Sequence, residues 1–276
     1  MNTSTIPHDL EIDRCNQRGG RMLSVVDLLD AGTLSRELAD YALATIGHGA
    51  SFMVGAVPGG AGKTTVMGAL LNFVPAEVPL AAADRPDTLQ AGLRETRDRR
   101  CYICHEIGNG PYYSYLWDEH LRLYFQLPTA GHMLATNLHA NTLDQAHDQV
   151  CLENRVPEAD FQRMNLVFFL AVEFHGLTRQ RRITELWESN GIEPHQRLLA
   201  DDQPFDITRS KLVSTHALVR AHQQLDAILA SGARTIQQVR TAVLESRHEP
   251  VQKAHELHPP PFRNCGVASE SARMRL

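Results

Sequence analysis

Ser51-Phe-Met-Val-Gly-Ala-Val57, followed directly by Pro58-Gly-Gly-Ala-Gly-Lys-Thr-Thr65, is the stretch that decides the fold. The first seven residues are a short apolar run, which predicts a strand buried on both faces. The next eight hold three glycines, a lysine and two threonines, and behind them Val66, Leu70 and Phe73 recur at helical spacing. Strand, glycine turn and helix, in that order, present backbone N–H groups and the positive end of a helix dipole to an anion.

A triphosphate needs many donors and little steric bulk. Pro58, Gly59, Gly60, Ala61, Gly62, Lys63, Thr64 and Thr65 supply both. Lys63 can reach the β- and γ-phosphates and Thr64 can hold Mg²⁺, so ATP and Mg²⁺ are the expected ligands of a P-loop. The full pattern wants a glycine six residues before the lysine, where this chain has Val57, and the nearest glycine is Gly55. Valine does not easily adopt positive φ, so the start of the loop must differ slightly. The bland alternative is a glycine-rich turn with an incidental lysine. Sequence and context together favour the phosphate loop.

Working outward, Ser24 to Asp30 reads as a short helix, and Ser35 caps a second with Ala39, Ala42, Leu43 and Ile46 on one face. Cys101 to Cys104, before His105-Glu106, and His132 to Thr136 read as strands. Val167 to His175 and Arg182 to Glu188 read as two strands joined near Gly176. Strands alternating with helices predict an α/β fold with a mostly parallel sheet. A small helical part follows. Leu218, Ala221, Leu225, Ile228 and Leu229 form a stripe, and Thr235 with Gln238 forms a capping box for a last helix. The expected division is a disordered tail at 1–21, the core at 22–190, a helical subdomain at 191–247 and a disordered tail at 248–276.

Composition bounds the rest. Of 276 residues 43% are hydrophobic, enough for one large core. The net charge of −5, from 27 basic and 32 acidic residues, argues against nucleic acid as a partner. No apolar run approaches the ~20 residues that span a bilayer, and Met1 to Gln17 holds no apolar signal core. A cytoplasmic chain without direct membrane insertion is expected. Five cysteines, an odd number, predict free thiols. Cys101-Tyr-Ile-Cys104-His105 spells a c-type haem attachment sequence, but a cytosolic strand is the wrong setting for it. A zinc pair lacks its second half, since Cys151 and Cys265 stand alone, and the strand cysteines read as small core residues.

Thr129-Ala-Gly-His-Met-Leu-Ala-Thr-Asn-Leu-His-Ala-Asn-Thr142 resembles the histidine box of the type II/type IV secretion and pilus-motor ATPases, in which Thr-Gly-His, a short strand and Thr-Leu-His follow one another. Ser24-Val-Val-Asp-Leu-Leu-Asp-Ala-Gly-Thr-Leu34 resembles the segment before that family's P-loop domain. His105-Glu106-Ile107 sits where the family ends its Walker B strand, and Arg181-Arg-Ile-Thr-Glu185 resembles a late strand. The resemblance covers about residues 23 to 190. It implies a RecA-like core that hydrolyses ATP, works as a hexameric homo-oligomer, and serves a membrane-embedded secretion or pilus platform from the inner face of the membrane.

In that setting Glu106 would polarise the attacking water. His132 and His139 would sense the γ-phosphate or relay subunit contacts. Their bland readings are a strand-end carboxylate and satisfied, partly buried histidines. Arg181 and Arg182 either reach phosphate or a neighbouring subunit, or decorate a solvated hairpin edge. Three departures stand out. Gly108 and Asn109 replace the family's Arg-Asp after the glutamate, the acidic box is reduced to Asp84 as its candidate, and only a short tail precedes the core. They favour a rival reading as a nucleotide-binding accessory subunit. A further rival is an unrelated P-loop kinase, for which no apolar acceptor lid is visible.

Overall fold

The computed structural model describes residues 8–16, 19–57, 59–175 and 178–247. Pro58, the hairpin turn at Gly176, and residues 1–7 and 248–276 of the expected tails lie outside the described residues.

The loop-bearing strand β1 (Phe52–Gly55) is central. It pairs in parallel with β5 (Met133–Leu138) on one side and β6 (Leu166–His175) on the other. Beyond β5 lie β3 (Cys101–Ile107) and β2 (Leu80–Ala82), also parallel, with the short β4 (Tyr115–Leu116) against the end of β3. Beyond β6 the sheet turns antiparallel through β7 (Thr178–Glu188) and β8 (Gln196–Leu199). The order is β2-β3-β5-β1-β6-β7-β8. The chain is therefore an α/β protein with the mostly parallel sheet of a RecA-like P-loop core. The strand carrying Glu106 is separated from the P-loop strand by β5.

Alternation along the strands explains why both faces are covered. Phe52 and Val54 point to one core and Met53 to the other; Cys101 and Ile103 go one way, Tyr102 and Cys104 the other. One face is covered by α2 (Val25–Asp30), α3 (Arg36–Gly47), α4 (Lys63–Leu71), α9 (Thr215–Ala230) and α10 (Ile236–Ser246). The other is covered by α5 (Pro86–Arg94), α6 (Asp118–Gln126), α7 (Leu143–His147) and α8 (Glu158–Phe161). The expected caps form: Ser24 and Ser35 accept backbone N–H groups, and Thr235 with Gln238 closes a capping box. Among the described residues no helix is long and apolar enough to cross a membrane.

One expectation for residues 1–21 is corrected. His8–Arg14 forms a helix, α1, and Ile12, Cys15 and Met22 are buried in the core that also holds α4. The stretch reads as polar, but its few apolar side chains fall on one side and find an apolar surface there, which offsets the cost of ordering the segment.

Residues 188–211 are fastened by one buried carboxylate. Glu188, fully buried at the end of β7, accepts hydrogen bonds from the Tyr41 hydroxyl on α3, the Ser210 hydroxyl, the Lys211 backbone N–H at 2.7 Å and the Gln196 side chain at 3.2 Å. Removing it strands several donors at once. Glu188→Ala is expected to lower unfolding stability by about 3 kcal/mol, read by urea denaturation. A loss below about 0.5 kcal/mol, the scale of a neutral surface change, would show that the network is not a fastening.

Candidate active site

The glycine loop begins where β1 ends. Gly60 and Gly62 take φ of 80° and 104°, a left-handed conformation that glycine adopts without cost. Gly62 is the N-cap of α4 and no side chain caps that end, so the first-turn N–H groups are left to another acceptor. Val57 solves the problem posed by the missing glycine in a different way. Among the described residues only Ser114, Asp118 and Arg155 are non-glycines with positive φ, so Val57 keeps ordinary backbone. Its N–H donates to Asn141 Oδ1 at 2.7 Å, and its side chain is turned to the surface.

Lys63, the first residue of α4, is buried. Its Nζ lies 3.2 Å from the Ala56 carbonyl, 3.3 Å from His139 Nδ1 and 3.4 Å from Glu106 Oε1. His139 Nε2 is 3.6 Å from the same carboxylate oxygen. The three side chains meet at the C-terminal edge of the sheet, Glu106 from the end of β3, His139 from just past β5 and Lys63 from the helix that follows β1, the edge at which parallel α/β sheets bind ligands. β3 slips register against β5 between Cys104 and Ile107. Such an irregularity re-aims side chains. Here it lies beside Glu106, and the buried Asn137 of β5 holds the His105 carbonyl across the slip at 2.8 Å.

These residues open onto a cleft of about 770 Å³, within the size range of small-molecule sites. Gly59 through Thr65, Glu106, His139 and Arg181 line it, with Arg21 and Met22 from the first segment of the chain. Arg181 donates to the Gly60 carbonyl at 3.4 Å. Burial and the neighbouring Arg179 lower its pKa from the usual guanidinium value, a group that stays charged in proteins. Arg182 turns away and pairs with Glu173 and Asp201. His105 donates from Nε2 to the Cys15 carbonyl at 2.9 Å; burial pushes its pKa down, so it is neutral at pH 7. The cleft therefore has a cationic floor, with Lys63 facing Glu106 as its counter-ion. A polyanion seated at the uncapped helix end would meet Lys63, Arg181 and backbone N–H groups. Thr64, the second residue of α4, would stand ready for a metal bound to that anion.

His139 reaches this cluster, but His132 does not. It precedes β5 at the opposite edge of the sheet, about 20 Å away for a six-residue strand. Its Nδ1 accepts from the Arg100 N–H at 3.1 Å, and its Nε2 faces the carbonyls of Gly92 and Glu95 at 2.9 and 3.0 Å. Both ring nitrogens are thus occupied with backbone, and His132 fastens the α5 end to the start of β3, apart from the Lys63 cluster where a γ-phosphate sensor or a relay of subunit contacts was expected. Asp84 lies just past β2 and pairs with Arg85 at 3.7 Å. Cys101 and Cys104 are fully buried on opposite faces of β3, so they cannot meet on one ion. Sequence reading missed Asn137, Asn141 and the contribution of Arg21 and Met22. A buried asparagine inside the apolar run Met133 to Leu138 was the one available signal.

No protein-family model matches the chain, and no curated protein matches it. Among solved structures it is similar to the VirB11 ATPase from the Brucella suis type IV secretion system in complex with sulphate, at 19% identity and a TM-score of 0.40. That similarity covers 68% of this chain and 57% of VirB11. It is also similar to the Legionella pneumophila ATPase DotB, at 11% identity and a TM-score of 0.39, over 80% of this chain and 57% of DotB. The chain thus spans little more than half the length of either.

The placement of His132 separates fastening from chemistry. His132→Ala is expected to cost about 2 kcal/mol of stability, because it strips partners from buried backbone groups, and to leave ATP affinity unchanged. Paired thermal melts and ATP titrations check this. An intact melting temperature with lost ATP affinity would mark His132 as a sensor instead.

Proposed function

We propose that this chain binds ATP·Mg²⁺ at Gly59–Thr65 and hydrolyses it. The carrying observation is the convergence of Lys63, Glu106 and His139 beside the uncapped end of α4. In this reading the loop N–H groups cradle the phosphates, and Lys63 leaves Glu106 for the β- and γ-phosphates. Thr64 supplies a hydroxyl to Mg²⁺, and Thr65 stands next to it on the same helix turn. Glu106, released from Lys63, orients a water in line with the γ-phosphorus and accepts its proton as the bond to the ADP oxygen breaks. His139 lies against both groups and can follow the exchange. Arg181 adds positive charge where negative charge develops on the transferring γ-phosphate.

The larger role rests on the histidine-box resemblance in the sequence: a cytoplasmic, homo-oligomeric motor, hexameric like that family, working against a membrane-embedded secretion or pilus platform. One observation favours the rival accessory subunit. Gly108 and Asn109 stand where the family has Arg-Asp, and in the structure Gly108 spends its N–H on the Leu116 carbonyl of β4. A chain so altered would bind nucleotide and turn it over weakly.

Steady-state hydrolysis and ATP calorimetry decide between them. Lys63→Ala is expected to abolish ATP binding with the fold intact. Glu106→Gln is expected to bind ATP normally and to hydrolyse it at least roughly a hundredfold more slowly, the scale of losing a general base. A wild type that binds ATP but barely turns over marks the accessory subunit. Equal ATP affinity in Lys63→Ala removes the nucleotide site altogether.

A further inference from the structure

Thr142 to Phe161 carries a second cluster that the nucleotide chemistry does not use. Thr142 caps α7, which passes at His147 into a π-helical turn, Asp148–Glu153. Such turns are rare and are frequently found at functional positions. His147 and Cys151 are four residues apart on this helical run and share a face. The chain then reverses through Arg155, which takes a φ of 59°, and Pro157, bringing Glu158 at the start of α8 back against them. His147 Nε2 lies 2.7 Å from Glu158 Oε2. The ligand atoms of His147, Cys151 and Glu158 all fall within 4.8 Å of one another, the one such group of three among the described residues.

We infer that His147, Cys151 and Glu158 form a binding site for a borderline-soft divalent cation, with zinc the best fit. Imidazole nitrogen, thiolate sulfur and carboxylate oxygen are the zinc donor set, and the thiolate disfavours magnesium and calcium. Ligands of a tetrahedral zinc stand about 3.5 Å apart. The His147 and Glu158 side chains, partly exposed, have room to close that difference. Three protein ligands leave a fourth position for water, the open type of site rather than the sealed structural type.

The surroundings are those a metal ligand requires. Asp148 Oδ1 lies 3.9 Å from His147 Nδ1, so a carboxylate stands ready to hold the proton on the nitrogen away from the metal. The Phe161 ring, 5.8 Å from the His147 ring, forms an apolar wall. Without a cation, Glu158 takes a hydrogen bond from the imidazole and faces the Cys151 thiol. The thiol is pushed up to about 12 by burial first and by Glu158 second, so it is protonated and inert at neutral pH. On binding, the S–H bond breaks and an S–Zn bond forms, the proton leaves to solvent, and the imidazole proton resides on Nδ1 beside Asp148. This inference does not depend on nucleotide binding.

The experiment uses the full chain, stripped with a chelator and dialysed against Zn²⁺ and, separately, Co²⁺. One equivalent of Zn²⁺ is expected to bind. Co²⁺ is expected to show a thiolate-to-metal charge-transfer band with the ligand-field bands of four-coordinate cobalt. Cys151→Ser is expected to abolish the charge-transfer band and to weaken Zn²⁺ about a hundredfold. Glu158→Gln, at an exposed position that leaves packing alone, is expected to weaken Zn²⁺ at least about tenfold. Cys101→Ser is expected to change neither. Failure to bind one equivalent overturns the inference, and so does a charge-transfer band that survives Cys151→Ser. Zn²⁺ affinity unmoved by Glu158→Gln also overturns it.

Discussion

Lys63 and Glu106 are buried together as an ion pair, with the Ala56 carbonyl and His139 also against the ammonium. An ammonium and a carboxylate taken out of water each cost several kcal/mol, a cost that their pairing offsets. At 3.4 Å their attraction is about 5 kcal/mol at the effective dielectric of a protein site, so the pair comes close to break-even rather than adding stability. That near balance is the useful property. A contact of this kind can be exchanged for a phosphate without unfolding anything. It also dictates geometry, because the first residue of α4 must meet the end of a strand two places away in the sheet. β5 fills the space between them and brings His139. The register slip in β3 and the asparagine that spans it aim the carboxylate at the ammonium.

The parts of this arrangement that repeat along the chain were legible in the sequence. β1, the glycine loop and α4 follow one another as an apolar run, a glycine cluster and a helical stripe. β3, β5, β6 and β7 were visible as apolar stretches, and the caps at Ser24, Ser35 and Thr235 as polar residues ahead of a stripe. Glu106 and His139 could be placed near the glycine loop because each ends such a strand. Even Val57, the defect in the loop, could be located, although its resolution through Asn141 lies 84 positions away and no local pattern announces it.

Other parts were hidden for identifiable reasons. β2 is three residues long, and β8 lies on the antiparallel edge with only Leu198 fully covered, so neither supplies a run long enough to register. α1 buries Ile12 amid polar residues, with Cys15 just past its end, and its buried Glu11 meets Arg14 and also Tyr113, a partner 102 residues away. His132 was grouped with His139 because both flank one strand. A strand's two ends are opposite edges of the sheet, which makes such a pair far apart rather than close. Cys151 looked solitary because only cysteine pairs were sought beside it, and Glu158 arrives by a chain reversal that spacing rules do not show.

The cleft at the glycine loop and the His147 cluster belong to one continuous piece of structure. The π-helical turn reaches β3 through Gln149, whose side chain donates to the Ile107 carbonyl, one residue beyond Glu106. The central claim, however, is the exchange at Lys63, and a structure of the chain with Mg²⁺ and a non-hydrolysable ATP analogue tests it most directly. The account requires the triphosphate to lie in the Gly59–Thr65 loop with Lys63 Nζ on the β- and γ-phosphates and the Glu106 carboxylate freed toward the γ-phosphorus. A nucleotide bound elsewhere, or one bound in the loop with the Lys63–Glu106 contact still closed, would contradict it.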